Sequence, residues 1–214
     1  MKRFETLSQI QDAGIIAVVG AETADKAIKV VEALVAGGIK GIELTFTVPQ
    51  ADQVISQLAA KYAQTDVVIG AGTVLEPVTA RLAINDGAQF LVSPLFDEGT
   101  AKMANLYQVP YLAGAFTITE IKTALEAGVD IVKMFLGAEA SPSMVKAVMA
   151  PMPQLSIMPS GGVSLDNMEE WINAGVVALG AGGNLLKPAD TDDYAGVTAM
   201  AKKFMTKYRQ LKQK

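Results

Sequence analysis

Eight short apolar runs recur along this chain, each too brief for a helix and each followed by a helix-length segment. They read IIAVV from Ile15, GIELTF from Gly41, VVIGAG from Val67, QFLVS from Gln89, VPYLAG from Val109, VDIVKMF from Val129, LSIMPS from Leu155 and VVALGAG from Val176. Continuous apolar runs of this length are what strands buried on both faces look like, and such strands belong to parallel sheets. Successive runs start about 20 to 26 residues apart, which leaves room for one helix and two short loops. The segments between them carry helical periodicity over Ala24 to Ala36, Gln50 to Ala63, Val78 to Asp86, Glu98 to Tyr107, Thr119 to Ala127, Met144 to Val148 and Asp166 to Ala174. Four of them end on glycine, which takes the left-handed conformation cheaply and turns the chain toward the next strand.

Eight β-then-α units with regular spacing predict a (β/α)8 barrel, an α/β fold of the TIM type, over residues 1–214 as a single domain. The amphipathic MKRFETLSQIQDAG predicts a short N-terminal helix ahead of the first strand. A doubly wound sheet is the alternative, and the first strand lacks the GxGxxG that would support a dinucleotide-binding version. The period is also that of a solenoid, but no leucine-rich signature accompanies it. In a barrel, strand C-termini and the loops after them form the active face.

Composition removes much chemistry. The chain has no cysteine and no histidine, so thiolate nucleophiles, imidazole acid–base steps and His–metal sites are excluded. A net charge of −4 without a basic tract predicts no nucleic acid partner and no anionic membrane surface. No apolar run reaches the ~20 residues of a spanning helix, and the N-terminus lacks a signal-peptide pattern. The expectation is a soluble, cytoplasmic protein. Trp171 and the methionines lie at core spacing, and the C-terminal KKFMTKYRQLKQK is read as a solvated helix face.

Four features remain as candidates for chemistry. Lys133 lies inside the apolar VDIVKMF, where the barrel would point it inward. It is either a snorkelling strand-end lysine or a nucleophile, since burial penalises an ammonium and an uncharged amine is what a Schiff base requires. Glu43 is the only charge in the second strand and is either half of a structural ion pair or an acid–base catalyst. The turns Pro159-Ser160-Gly161-Gly162 and Gly180-Ala181-Gly182-Gly183-Asn184 follow strands seven and eight, the usual phosphate site of such barrels. They are otherwise tight turns, with Ser164 placed to cap the next helix. Thr73, in GAGTVL, is a routine strand-end threonine or a hydroxyl for a carboxylate.

Together IELTFTVP, GAGTVL, VKMF, MPSGGV and GAGGNLL resemble the 2-keto-3-deoxy-6-phosphogluconate / 4-hydroxy-2-oxoglutarate aldolases, from the first strand to the last helix. The resemblance implies a class I, Schiff-base, pyruvate-releasing enzyme, generally a homotrimer, acting on a small-molecule keto acid without metal or cofactor. It puts the Schiff-base lysine at Lys133 and the acid–base carboxylate at Glu43. It makes Thr73, Ser160, Thr47 and Phe135 substrate contacts, and Gly161, Gly162, Gly182, Gly183 and Asn184 the phosphate loops. The family commonly carries an arginine near the substrate carboxylate where this chain has Gly20 or Thr47. The only arginines are Arg3, Arg81 and Arg209, and losing a bidentate contact costs ~1.5–3 kcal/mol. The family's Phe-Pro-Gly is Phe135-Leu136-Gly137, the proline before Gly114 is Ala113, and its Ser-Pro turn continues into Leu95. These departures imply altered substrate choice or, alternatively, an inert barrel serving as a trimeric scaffold. A phosphate-binding isomerase or epimerase barrel would use the glycine loops without needing Lys133.

Overall fold

The computed structural model describes residues 1–213. Eight parallel strands, β1 (Ile15–Val19), β2 (Gly41–Thr45), β3 (Val68–Gly72), β4 (Leu91–Val92), β5 (Tyr111–Ala115), β6 (Ile131–Met134), β7 (Ile157–Pro159) and β8 (Leu179–Ala181), pair in the order β7-β6-β5-β4-β3-β2-β1-β8. The remaining seam is closed by a parallel bridge from Ser160 to Gly180 and by Val177 N–H donating to the Ile157 carbonyl at 3.0 Å. This is the expected barrel.

The helices are α1 (Lys2–Ala13), α2 (Ala24–Ala36), α3 (Ala51–Lys61), α4 (Pro77–Asn85), α5 (Glu98–Tyr107), α6 (Ile118–Glu126), α7 (Pro142–Met149), α8 (Met168–Asn173), the single turn α9 (Gly183–Leu186) and α10 (Tyr194–Lys212). Several of them start at the mouth end of the barrel on a side-chain cap. Asp97 caps α5 by accepting from Thr100 N–H at 2.6 Å, and Thr117 and Glu120 close a reciprocal capping box on α6. Such caps satisfy amide donors that a helix leaves unpaired. Between helices and barrel lies one continuous apolar layer that includes Leu34, Ile55, Ile69, Ile121 and Phe204.

The barrel interior is filled separately. Ile16, Val68, Phe90, Val92, Leu112, Ile131 and Met158 pack against one another and against Ile10 and Ala13 of α1. Helix α1 therefore plugs the N-terminal end of the barrel. Arg3 holds it there, with Nε and Nη2 reaching the Asp130 carboxylate at 3.0 and 2.7 Å. Gly70 makes room for the Phe90 ring, since a Cβ at 70 would collide with it.

Several local expectations change. Residues 202–212 are not merely a solvated face, because Phe204, Met205 and Tyr208 of α10 are buried against the outer apolar layer. Ser164 does not cap α8: that helix starts at Met168, and Ser164 instead exchanges hydrogen bonds with Asn167 within a preceding turn. Trp171 is buried as expected, while Met1 is exposed. No helix among the described residues is long and apolar enough to cross a membrane.

Candidate active site

Two positions before Lys133 on β6 is Ile131, part of the apolar plug. Side chains two apart on a strand share a face, so Lys133 enters the same lumen one layer higher. Glu43 does the same on β2. In the strand order, β2 and β6 are four places apart in a ring of eight, so the two side chains approach from opposite walls. Lys133 Nζ lies 3.1 Å from Glu43 Oε1, and the two side chains are 5% and 0% exposed. A buried charge survives only when paired, which accounts for the contact. It leaves one anomaly: Glu43 Oε2 is buried without a hydrogen-bond partner. A carboxylate oxygen left free inside a cleft is positioned to exchange a proton with a bound molecule.

Small residues clear the space. A Cβ at Gly72 would collide with the Glu43 carboxylate, one at Gly114 with the backbone of Pro94, and one at Gly180 with the Ser160 hydroxyl. Ser160 itself is buried on the lumen seam. The Phe135 ring centroid lies 5.3 Å from Lys133 Nζ. Thr73 follows Gly72 with φ at 56°, a conformation that costs a β-branched residue about 1–3 kcal/mol. The β7 loop turns through Gly161 and Gly162 at φ 97° and 73°. Its carbonyls are tied back by side-chain amides, Gly162 O to Asn167 Nδ2 at 2.9 Å and Val163 O to Asn184 Nδ2 at 3.1 Å. Asn184 thus links the two glycine loops. Gly183 opens α9, and nothing lies within 4 Å of the place its Cβ would take.

A cavity of about 290 Å³ borders this mouth over β4 to β6, lined by Leu95, Phe96, Gly114, Phe116 and Phe135 among others. A larger groove of about 670 Å³ between α8 and α10 lies on the outer wall and includes neither Lys133 nor Glu43.

The site is thus a buried lysine–carboxylate pair across a barrel lumen, beside two glycine turns. The profile of the aldolase family described as KDPG and KHG aldolase matches residues 7–200. The chain belongs to that family. It is 35% identical to the 2-dehydro-3-deoxy-phosphogluconate aldolase of Treponema pallidum over 205 residues, 92% of this chain and 93% of that protein. It is 31% identical to the 2-dehydro-3-deoxy-6-phosphogalactonate aldolase of Escherichia coli K12, covering 92% and 95%. Among solved structures it is similar to the KDPG aldolase from Legionella pneumophila with pyruvate captured as a covalent carbinolamine. There the TM-score is 0.84 at 26% identity, covering 92% of this chain and 96% of that one.

Seen as a KDPG/KHG aldolase, the chain brings Lys133, Glu43 and Ser160 together inside the barrel, with Phe135 beside the lysine. Gly161, Gly162, Gly182 and Gly183 lie in adjacent loops after β7 and β8. Thr47 is exposed at the rim, where its hydroxyl oxygen lies 2.6 Å from that of Thr45. Sequence reasoning missed Thr45. The alternation Glu43, Thr45 within IELTF was the signal that could have found it, because both side chains must share the lumen face. It also missed the lumen role of Gly72, which is legible only once Glu43 is known to point at it.

Proposed function

We propose that this chain is a class I aldolase that cleaves a 2-keto-3-deoxy-6-phospho sugar acid, or 4-hydroxy-2-oxoglutarate, to pyruvate and an aldehyde. The observation that carries this reading is the 3.1 Å contact of a buried Lys133 with a Glu43 whose second oxygen has no partner. Glu43 takes a proton from Lys133, and the freed amine attacks the keto carbon at C2. Glu43 returns its proton to the carbinolamine hydroxyl, which leaves as water, and an iminium remains with Glu43 again a carboxylate. Glu43 then removes the C4 hydroxyl proton, the C3–C4 bond breaks, and its electron pair flows to the iminium as the aldehyde leaves. The resulting enamine takes a proton at C3, and water releases pyruvate from Lys133. A preorganised lumen of this kind acts by holding the amine, the carboxylate and the substrate in one geometry.

The other assignments carry the family resemblance onto the residues around the lumen. Thr73 and Ser160 supply hydroxyls to the substrate, and Phe135 packs on the pyruvyl group. Thr47 touches the substrate at the rim. The glycine turns at 161–162 and 182–183 offer peptide N–H groups to the phosphate, while Asn184 joins the two loops. Residues 1–214 act as one domain, and the reaction takes place in the cytoplasm. A homotrimer is supported by the exposed Leu75, Val78, Leu82, Leu106 and Tyr107, an apolar surface that soluble monomers rarely leave open.

The test is intact-protein mass after incubation with pyruvate and borohydride, followed by peptide mapping. A single reduced pyruvyl adduct on Lys133 is expected. Its absence, or an adduct on another lysine, overturns the mechanism.

A further inference from the structure

The segment that runs from β4 into α5 forms one wall of the site. Its Pro94 backbone presses into the space that Gly114 leaves, since a Cβ at 114 would lie 2.1 Å from the Pro94 carbonyl carbon and oxygen. Gly114 is the register partner of Lys133 on the neighbouring strand, so this stretch of backbone borders the lysine's side of the lumen.

Both ends of the segment are anchored. Ser93 N–H donates to the Leu112 carbonyl at 3.0 Å, and Asp97 caps α5. Between them, Pro94, Leu95 and Phe96 make no main-chain to main-chain hydrogen bond among the described residues. Leu95 N–H donates instead to Ser93 Oγ at 3.3 Å, and the Leu95 carbonyl accepts from the Tyr111 hydroxyl at 3.3 Å. The same hydroxyl accepts from Asp97 N–H at 3.4 Å. All three bonds are longer than about 3.0 Å, and each alone is weak. They converge on a segment that has no other polar tie.

Tyr111 is 1% exposed and packs in the apolar layer between barrel and helices, on the opposite face of β5 from Leu112 in the lumen. Phenylalanine would fill nearly the same space, so packing does not require the hydroxyl. Burial pushes the Tyr111 pKa up, and the phenol therefore keeps the proton it donates.

We infer that Tyr111 is a positioning residue for the keto acid site: through its hydroxyl it holds the 94–96 wall against Gly114 and so limits the donor at Lys133 to a keto acid as small as pyruvate. This rests on the aldolase reading and narrows it. Leu95 and Phe96 line the cavity of about 290 Å³ together with Phe135, the ring beside Lys133. Held in place, the segment separates that space from the pyruvyl methyl. Released, it opens room there for a longer chain on C3.

The experiment follows reduced adduct formation on Lys133 with borohydride, against the concentration of pyruvate and of 2-oxobutyrate, which carries one more methyl on C3. The wild type is expected to favour pyruvate at least tenfold. Tyr111→Phe should narrow that preference about fivefold, with the change lying in the half-saturating concentrations rather than in the maximal rate. Ser93→Ala, which frees Leu95 N–H on the same segment, should move the preference the same way and decides the matter if Tyr111→Phe does not fold. A merely structural role for the hydroxyl would lower the urea midpoint and leave the donor preference unmoved. Adduct on Lys133 with an unmoved preference in the variants, or with both donors taken equally by the wild type, overturns this inference alone. No adduct in the wild type overturns the aldolase reading and this inference with it.

Discussion

The lower and upper halves of the barrel lumen are built from the same strands and do opposite things. At the lower level Val68, Phe90, Leu112, Ile131 and Met158 fill the space. Two residues further on, the inward positions of β5, β6 and β7 become Gly114, Lys133 and Ser160, and here β2 contributes Glu43 and β3 contributes Gly72, which faces the Glu43 carboxylate. A strand advances about 6.6–7 Å over two residues, so the change from solid core to reactive cleft takes place within one layer. The lower layer contributes stability, about 1.5–3 kcal/mol for each large apolar side chain buried. The upper layer gives up much of that packing for space and a buried ion pair. Chemistry in this barrel is therefore located where the packing residues stop.

The largest test of that division is Lys133→Ala. It should cost at least a thousandfold in aldol cleavage, ~4 kcal/mol of barrier, while circular dichroism shows a folded barrel; continuing turnover would remove Lys133 as the nucleophile. Phe90→Ala addresses the other layer. Its expected cost is about 3–5 kcal/mol in urea unfolding, with kcat per folded molecule retained. Should kcat drop in step with stability, the two layers are not separable.

Strand β3 allows a sharper comparison, because two of its glycines face different neighbours. Gly70→Ala drives a methyl into Phe90 and should destabilise by about 1–3 kcal/mol. Gly72→Ala drives it into the Glu43 carboxylate and should lower kcat about tenfold, or ~1.4 kcal/mol, with a smaller change in stability. Parallel measurements of unfolding and kcat on the pair decide it: the same effect from both substitutions would contradict the layering.

The smallest effect concerns the helix starts around the mouth. Backbone and hydroxyl donors of Thr117 and the Phe116 amide hold the Glu120 carboxyl below its usual range. Its contribution is complete above the unfolded-state value near 4.3 and is lost as pH falls through the lower folded-state value. Acid unfolding followed by fluorescence should show a shallower pH dependence in Glu120→Gln than in the wild type. Identical slopes would mean that this cap does not contribute.

Much of the fold was legible in the sequence because its signals are local. Continuous apolar runs, helical periodicity and terminal glycines each report on a few neighbouring residues, and Gly87 and Gly175 do take positive φ as their place after α4 and α8 suggests. The misreadings have a tertiary origin. Phe204, Met205 and Tyr208 sit in a strongly charged helix whose apolar stripe is narrow, and only docking of α10 onto the outer layer reveals it. Ser164 has the right residue type for a cap, but the chain makes one more turn before α8 begins. Candidate chemistry followed the same divide. Lys133 and Glu43 stood out as lone charges in buried strands, whereas Thr45 looked ordinary until its hydroxyl was placed beside that of Thr47.

The sequence by itself determined the eightfold order of strands and helices, the exclusion of histidine and cysteine chemistry, and the short list of reactive side chains. Each depends on residue type or on spacing along the chain. Only the tertiary structure decided that residues 90 positions apart meet at 3.1 Å, that Gly72 makes room for that meeting, and that Gly20 lies against the hydroxyls of Thr45 and Thr47 at the end of β2 and in the loop after it. Closing the barrel sets these distances, because strand tilt and register bring opposite walls together, and no local pattern in the chain encodes which side chains will then face one another.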